Sequence, residues 1–303
     1  MDRVFTLSQA KDLGVPANRL RAGDVHLLHR RLYFQGSGTP SEAAVAAGLC
    51  LIHDGSFTSH LTAGRVHGLW LPSRLQSGGP LHLTRYRSRP LEITGVACHR
   101  IRQFKGGTTT IPAPSDGPPH SILPISTPAR TWLELAQTLR QDDLVAIGDQ
   151  LVRQPYTQFE ARQEPLATRE QLHLLLDRYR GFPGSGNARA ALELVRVGSD
   201  SAMETKLRLA LIRAGLPEPE LQIRAEPGDP FSASCDLGYR SARLAIQYDG
   251  AHHRTAEQLR VDNRRDRAFT AGGWNYIKLD WSDASNGFSR AIVLVRQGLA
   301  SAA

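Results

Sequence analysis

Apolar positions change their spacing along the chain, and each change predicts a different element. Thr6 can cap a short helix running to Leu13 and closed by Gly14, and Pro16 sits near the start of a second helix ending at Gly23. His26 to Gln35 (HLLHRRLYFQ) then places two apolar, β-prone segments on either side of His29, Arg30 and Arg31, the pattern of a hairpin. LHLTRY and GVACHRI read as strands between Ser73 and Asp116, whereas the Gly/Thr/Pro-rich residues 106–119 read as a loop or linker. From Thr127 the spacing of Trp132, Leu135, Ala136 and Leu139 is helical, and helical text returns over Leu144 to Val152 and Thr168 to Tyr179. GFPGSGN, from Gly181 to Asn187, lacks the lysine and hydroxyl residue of a phosphate loop and is expected to be a turn.

The last hundred residues are patterned more sharply. Met203, Leu207, Ala210, Leu211 and Ala214 form one face of a helix that starts at Ser201 and is stopped by Gly215 and Pro217. A strand through SCDLGY, a tight connection at Arg240 and Ser241 and a second strand, RLAIQYDG, follow. A charged helix from about Ala256 to Ala271 and a third strand, WNYIKLD, complete the order expected of an α/β core with a mixed sheet. The chain thus reads as a multidomain α/β protein: a winged helix-turn-helix over residues 1–72, an α+β middle region over 73–198 and a mixed-sheet domain over 199–303.

Composition narrows the classes. The 303 residues are 41% hydrophobic and 22% charged, which excludes wholesale disorder and fibrous architectures. The longest apolar run, Ala43 to Ile52, is about half of what a spanning helix requires, and the amino terminus does not resemble a secretion signal. Cys50, Cys98 and Cys235 are far apart and form no CxxC pair, which points to reduced thiols in a cytoplasmic protein and away from zinc. His53, His60, His67 and His99 make no helical pair at ligand spacing and are expected to be scattered structural residues.

Charge then separates the two ends. The chain carries +8, with 37 basic and 29 acidic residues, and 33 of the basic residues are arginine. Residues 1–100 hold 12 basic against 6 acidic residues, while 201–303 are nearly balanced at 14 against 12. Arginine's planar fork suits phosphate and base edges. Asn18, Arg19 and Arg21 on the second short helix would reach bases or phosphates, with Arg30 and Arg31 at the wing meeting phosphates. A small packing subdomain is the competing reading. With SHLTAGRVHGLWLP (Ser59 to Pro72) and TPARTWLELA (Thr127 to Ala136), this first half resembles abortive-infection (AbiE-type) antitoxins, which implies sequence-directed DNA binding in a regulator.

Carboxylates mark the other end. Asp236 lies on the first strand of the hairpin, and Gln247 and Asp249 lie two apart on the second, so one face gathers oxygen donors suited to Mg²⁺, with Mn²⁺ as a substitute. His252 and His253 follow, either of them available to shuttle a proton, and Gln258, Asp262 and Arg265 form a polar stripe on the next helix. Ser201 to Glu204 is also a capping box, and Asp262 with its arginine neighbours also fits a solvated face. SAMETKLRLALIRAGLPEPELQ, DLGYRSARLAIQYDGAHHR, QLRVDNRRDRAF and AGGWNYIKLD resemble, in order and spacing, a restriction-endonuclease-like domain of the PD-(D/E)XK superfamily, akin to very-short-patch (Vsr-like) mismatch-repair endonucleases. By that resemblance Glu204 is the helix carboxylate near the metal, Asp236 the principal ligand and Asp249 the acid of the YDG signature. His253 is the histidine after that signature, and Arg265 a phosphate contact. Gln247 replaces the usual glutamate and supplies neither charge nor base. Two functions are therefore expected to compete: a Mg²⁺-dependent deoxyribonuclease, and a non-catalytic regulator on operator DNA of a toxin gene. Neither reading includes a membrane or fixes the oligomeric state.

Overall fold

A computed structural model describes residues 2–86, 92–101, 106–226, 228–229, 232–250 and 256–302, the side chains of 256–262 lying outside the description. The chain forms two compact units, 1–144 with 167–192 and 145–166 with 193–303. Its architecture is multidomain α/β, with one antiparallel and two mixed sheets among the described residues. No described helix is long and apolar enough to cross a membrane, and the three cysteines are free.

The first unit opens with β1 (Arg3–Thr6), β2 (Val25–His29) and β3 (Leu32–Gln35), a sheet in the order β1-β3-β2. The expected hairpin forms, with Arg31 in the left-handed region (φ 70°) at its turn. The two helices expected before it do not. Thr6 does cap, exchanging hydrogen bonds with Gln9, yet it ends β1, and the residues up to Gly14 make isolated turns. The second is a single 3-10 turn, Arg19–Arg21. Stretches this short cannot repay helix nucleation from their own hydrogen bonds, and here the apolar side chains Phe5, Ala10 and Val25 hold the loop instead.

The run around Gly48 becomes α1 (Glu42–Ile52), a largely buried helix capped by Ser41. Then come β4 (Ser56–Thr58), α2 (His60–Val66), β5 (Leu81–Arg85), β6 (Val96–Arg100), β7 (Thr108–Pro112) and β8 (Ile122–Ser126). The sheet order is β6-β5-β4-β8-β7. The segment expected to be a linker therefore contains a strand. Its three threonines are β-prone, and Pro112 is tolerated because β7 lies at the sheet edge. Since β4 pairs with both β5 and β8, the expected boundary at residue 72 falls inside this unit. Helices α3 (Pro128–Leu135), α4 (Gln141–Val152), α5 (Arg169–Arg178) and α6 (Ser185–Leu194) follow, and the unit boundary falls within α4.

The second unit contains α7 (Ala202–Arg213), β9 (Glu220–Arg224), β10 (Ser234–Tyr239), β11 (Leu244–Tyr248), α8 (Ala256–Ala271), β12 (Asn275–Leu279), α9 (Trp281–Ser285) and α10 (Ser289–Ser301). The order helix, hairpin, helix, strand is as expected; β9, α9 and α10 are additions. Strands run β12-β11-β10-β9, with β11 and β12 parallel and the other pairs antiparallel. Leu207, Leu211, Leu237, Leu244, Ile246 and Leu279 form the core beneath the sheet. A buried ion pair braces α7: Arg208 donates to Asp149 at 2.8 Å, and Asp149 also accepts from Thr205 Oγ1 at 2.8 Å and from the Arg196 N–H at 2.7 Å. Satisfying each oxygen in this way offsets the cost of desolvating the carboxylate.

Candidate metal centres

In the second unit Asp236 is the hub. Alternation along β10 turns its neighbours Cys235 and Leu237 into the core and leaves Asp236 on the opposite face, level with Gln247 on β11. Gln247 Nε2 donates to Asp236 Oδ1 and the Tyr248 N–H donates to Oδ2, each at 2.8 Å. On the other side Gln222 of β9 has a left-handed backbone (φ 49°), and the regular pairing between β9 and β10 skips the position opposite Asp236. Such strain in a non-glycine residue persists only where its surroundings enforce it.

Glu204 does two things at once. Its N–H donates to Ser201 Oγ at 3.2 Å, which is one half of the expected capping box, while its Oε2 accepts from the Asp200 N–H at 2.8 Å and not from that of Ser201. Asp200 in turn accepts from Tyr156 Oη at 2.6 Å and Gln222 Nε2 at 3.0 Å. Burial pushes the Glu204 carboxyl up to about 8, with the charge of Asp236 adding to the rise. Burial likewise raises Asp236 to about 6, opposed by its hydrogen bonds and by the Arg265 charge. Both acids therefore hold their protons more tightly than free carboxyls do. Gln247 Oε1 is buried and makes no hydrogen bond among the described residues. All three groups carry oxygen donors of the kind a hard divalent cation takes, although Gln247 presents Nε2 and not Oε1 to Asp236.

The other expected site residues distribute as follows. Arg265 of α8 is half-buried and acts electrostatically on Asp236. Asp249 leaves β11 half-buried, its N–H donating to the Leu279 carbonyl at 2.7 Å. His252 and His253, and the side chains of Gln258 and Asp262, lie outside the described residues. Asp200 and Gln222 were not expected. The acid just before the capping box was the only sequence signal for the first, and nothing local marks the second.

In the first unit Asn18, Arg19, Arg21, Arg30 and Arg31 are all exposed. Arg19 is paired with Asp24 at 2.8 Å.

The histidines correct the expectation. His67 is structural, its Nε2 contacting the Ser126 carbonyl at 2.7 Å, but His60 and His99 meet His82. One ring nitrogen from each lies within 4.8 Å of the others, so the group is able to coordinate a metal ion. His82 Nδ1 is 2.9 Å from His99 Nε2, and the His60 and His99 rings stack at 3.6 Å. Burial holds all three rings below the usual histidine range, His60 at about 2 and His82 at about 4, so they are neutral at pH 7, as ligands must be. The ligands come from the start of α2 and the neighbouring strands β5 and β6, so no sequence spacing reveals them.

No family model matches the chain. It is similar to uncharacterized protein Rv2248 of Mycobacterium tuberculosis (strain ATCC 25618 / H37Rv) and to uncharacterized protein MT2308 of strain CDC 1551 / Oshkosh. Each is 30% identical over 156 residues, covering 50% of this chain and 53% of the relative. The match thus spans about half the length of these curated relatives.

Proposed function

We propose that the chain binds DNA and hydrolyses its phosphodiester bonds at a Mg²⁺-dependent centre built on Asp236, in the manner of a restriction-endonuclease-like enzyme. The observation that carries this reading is the pairing of Asp236 and Glu204, both buried and raised, with the orphaned oxygen of Gln247. Asp236 and Glu204 would hold the ion, and Gln247 would turn its amide so that Oε1 joins them. Asp249 is the further acid of the set. The bound ion would polarise the scissile phosphate and acidify water. Arg265 would steady the phosphate, and His253 would carry a proton to or from the reacting oxygens. Gln258 and Asp262 would support the same face. In the first unit the β2–β3 hairpin and the turn before it would dock DNA through Arg21, Arg30 and Arg31, helped by Asn18 and Arg19.

A second reading, a non-catalytic regulator on operator DNA, is favoured by one contact. Gln247 already satisfies Asp236 Oδ1 with an amide hydrogen, a role glutamate cannot fill. One experiment separates the two. Purified protein is incubated with single-stranded, duplex and mismatched DNA in Mg²⁺ or Mn²⁺, beside Asp236→Ala and Gln247→Glu. Cleavage lost in Asp236→Ala supports the nuclease, and full cleavage retained in that variant sinks the site. Cutting only by Gln247→Glu, with duplex binding intact in the wild type, supports the regulator.

A further inference from the structure

We propose that His60, His82 and His99 form a second metal centre, a three-nitrogen zinc site with an open fourth position. The donor set decides the class of ion. Three neutral imidazoles without a carboxylate or thiolate select a borderline transition metal over Mg²⁺ or Ca²⁺, the reverse of the all-oxygen set around Asp236. The spacing is also right. Zn–N bonds of about 2.0–2.1 Å in a tetrahedral arrangement put ligand nitrogens about 3.3 Å apart. The His82–His99 separation of 2.9 Å and the 4.8 Å limit for the group bracket that value. Seating an ion needs a side-chain adjustment and no change of fold.

Hydrogen bonds orient the rings. His60 Nδ1 faces Ser59 Oγ at 3.0 Å, and Ser59 Oγ accepts from Thr84 Oγ1 at 2.7 Å. His82 Nδ1 and His99 Nε2 face each other. No ring nitrogen of the three histidines is a buried atom without a hydrogen-bond partner, so the nitrogens that face no protein atom open to solvent, where an ion can reach them. Histidine ligands generally fix the ring through the nitrogen that does not touch the metal, and His60 Nδ1 is held in that way by Ser59 Oγ, with Glu134 Oε2 3.8 Å from the same nitrogen. Glu134 is itself held by Arg130 Nε at 2.8 Å, Ser126 Oγ at 2.9 Å and the His60 N–H at 3.0 Å. That last bond fixes His60 in a left-handed backbone (φ 50°), strain of the kind that accompanies ligand clamps. His60 is buried, whereas His82 and His99 are partly exposed, which gives the ion an approach and leaves its fourth position to water.

The test uses the full chain stripped with chelator and titrated with Co²⁺ and Zn²⁺. The expected result is one Co²⁺ per chain with the visible absorption of a low-coordinate ion, retained in Asp236→Ala. Affinity should fall at least about ten-fold in His82→Ala and in His99→Ala. Both positions are partly exposed, so these variants are expected to fold, and far-ultraviolet circular dichroism checks this. X-ray absorption at the zinc edge on the wild type needs no variant and should show three imidazole nitrogens. Absence of the cobalt absorption, equal binding by folded histidine variants, or an oxygen-only zinc shell would each overturn the assignment.

Discussion

Asp236 and Glu204 make the acidic pair of the second unit a source of pH-dependent stability. Both carboxyls are raised in the folded chain, Glu204 to about 8 and Asp236 to about 6, because burial disfavours their charged forms. The folded state then binds protons more tightly than the unfolded state, so this contribution is fully present below the unfolded carboxylate pKa of about 4. It is lost as pH rises toward 8. Glu204→Gln removes the penalty at the upper end while keeping an acceptor for the Asp200 N–H. Thermal unfolding should place this variant several degrees above the wild type at pH 8, at about 2–4 °C for each kcal/mol recovered, and level with it at pH 4. A difference that grows toward low pH would contradict the assignment. Gln247 belongs to the same scale: one amide in place of a carboxylate decides between a site that awaits a cation and one that is already satisfied.

Elements are held by contacts that single residues make possible, and the glycine-rich segment before α6 is the clearest case. The first four residues of GFPGSGN form the turn that its composition predicts, whereas Ser185 to Asn187 already belong to α6, and the reason for the glycine at 184 lies in packing. Gly184 has φ +83°, and a Cβ there would fall 2.7 Å from the backbone carbon of Ala136 and the nitrogen of Gln137. Asn187, one turn into α6, donates to the carbonyls of Ala136 and Leu139, which closes the same junction. Gly184→Ala should therefore cost about 1–3 kcal/mol, measurable by urea denaturation, because the obstacle is backbone and cannot rotate away. A neutral result would mean that the turn shifts without loss. Gly186, with no atom within 4 Å of its would-be Cβ, is the control expected to tolerate alanine.

For the whole molecule, the asymmetry of charge bears on how DNA would be held. The first hundred residues carry the basic excess, while the second unit keeps its arginines largely beside acids, as in the Arg208–Asp149, Arg153–Glu160 and Arg290–Asp283 pairs. Binding to duplex DNA should accordingly weaken steeply with salt, with a log–log slope of about −0.9 per phosphate neutralised. Replacing Arg30 and Arg31 together by alanine should lower that slope by about 2, while the Asp236→Ala variant leaves it unchanged. Equal slopes for the wild type and the hairpin variant, measured by fluorescence anisotropy, would move DNA binding away from this end of the chain. The two candidate metal centres differ in the same separable way, one all oxygen and one all nitrogen, so chelators and metals of different hardness can address them independently.

The sequence by itself determined the elements whose signals are local. α7 starts after Ser201 and α3 after Thr127, where the capping residue of the one and the apolar spacing of the other predict, and β10, β11, α8 and β12 follow in the expected order, because caps, breakers and apolar spacing act over a few residues. The candidate site was legible in part, since the tight connection between β10 and β11 predicts a hairpin whose register can bring Asp236 level with Gln247, as it does. Tertiary structure decided whatever depends on long-range closure. The amino-terminal helices dissolved into turns, the threonines of β7 found a sheet edge, and the apolar run from Ala43 to Ile52 became the largely buried α1. Long-range closure also set Asp200 and Gln222 around Asp236 and brought three histidines from α2, β5 and β6 to one point. Pairing between segments distant in sequence is selected by burial and hydrogen-bond completion over a whole unit, which no local window contains.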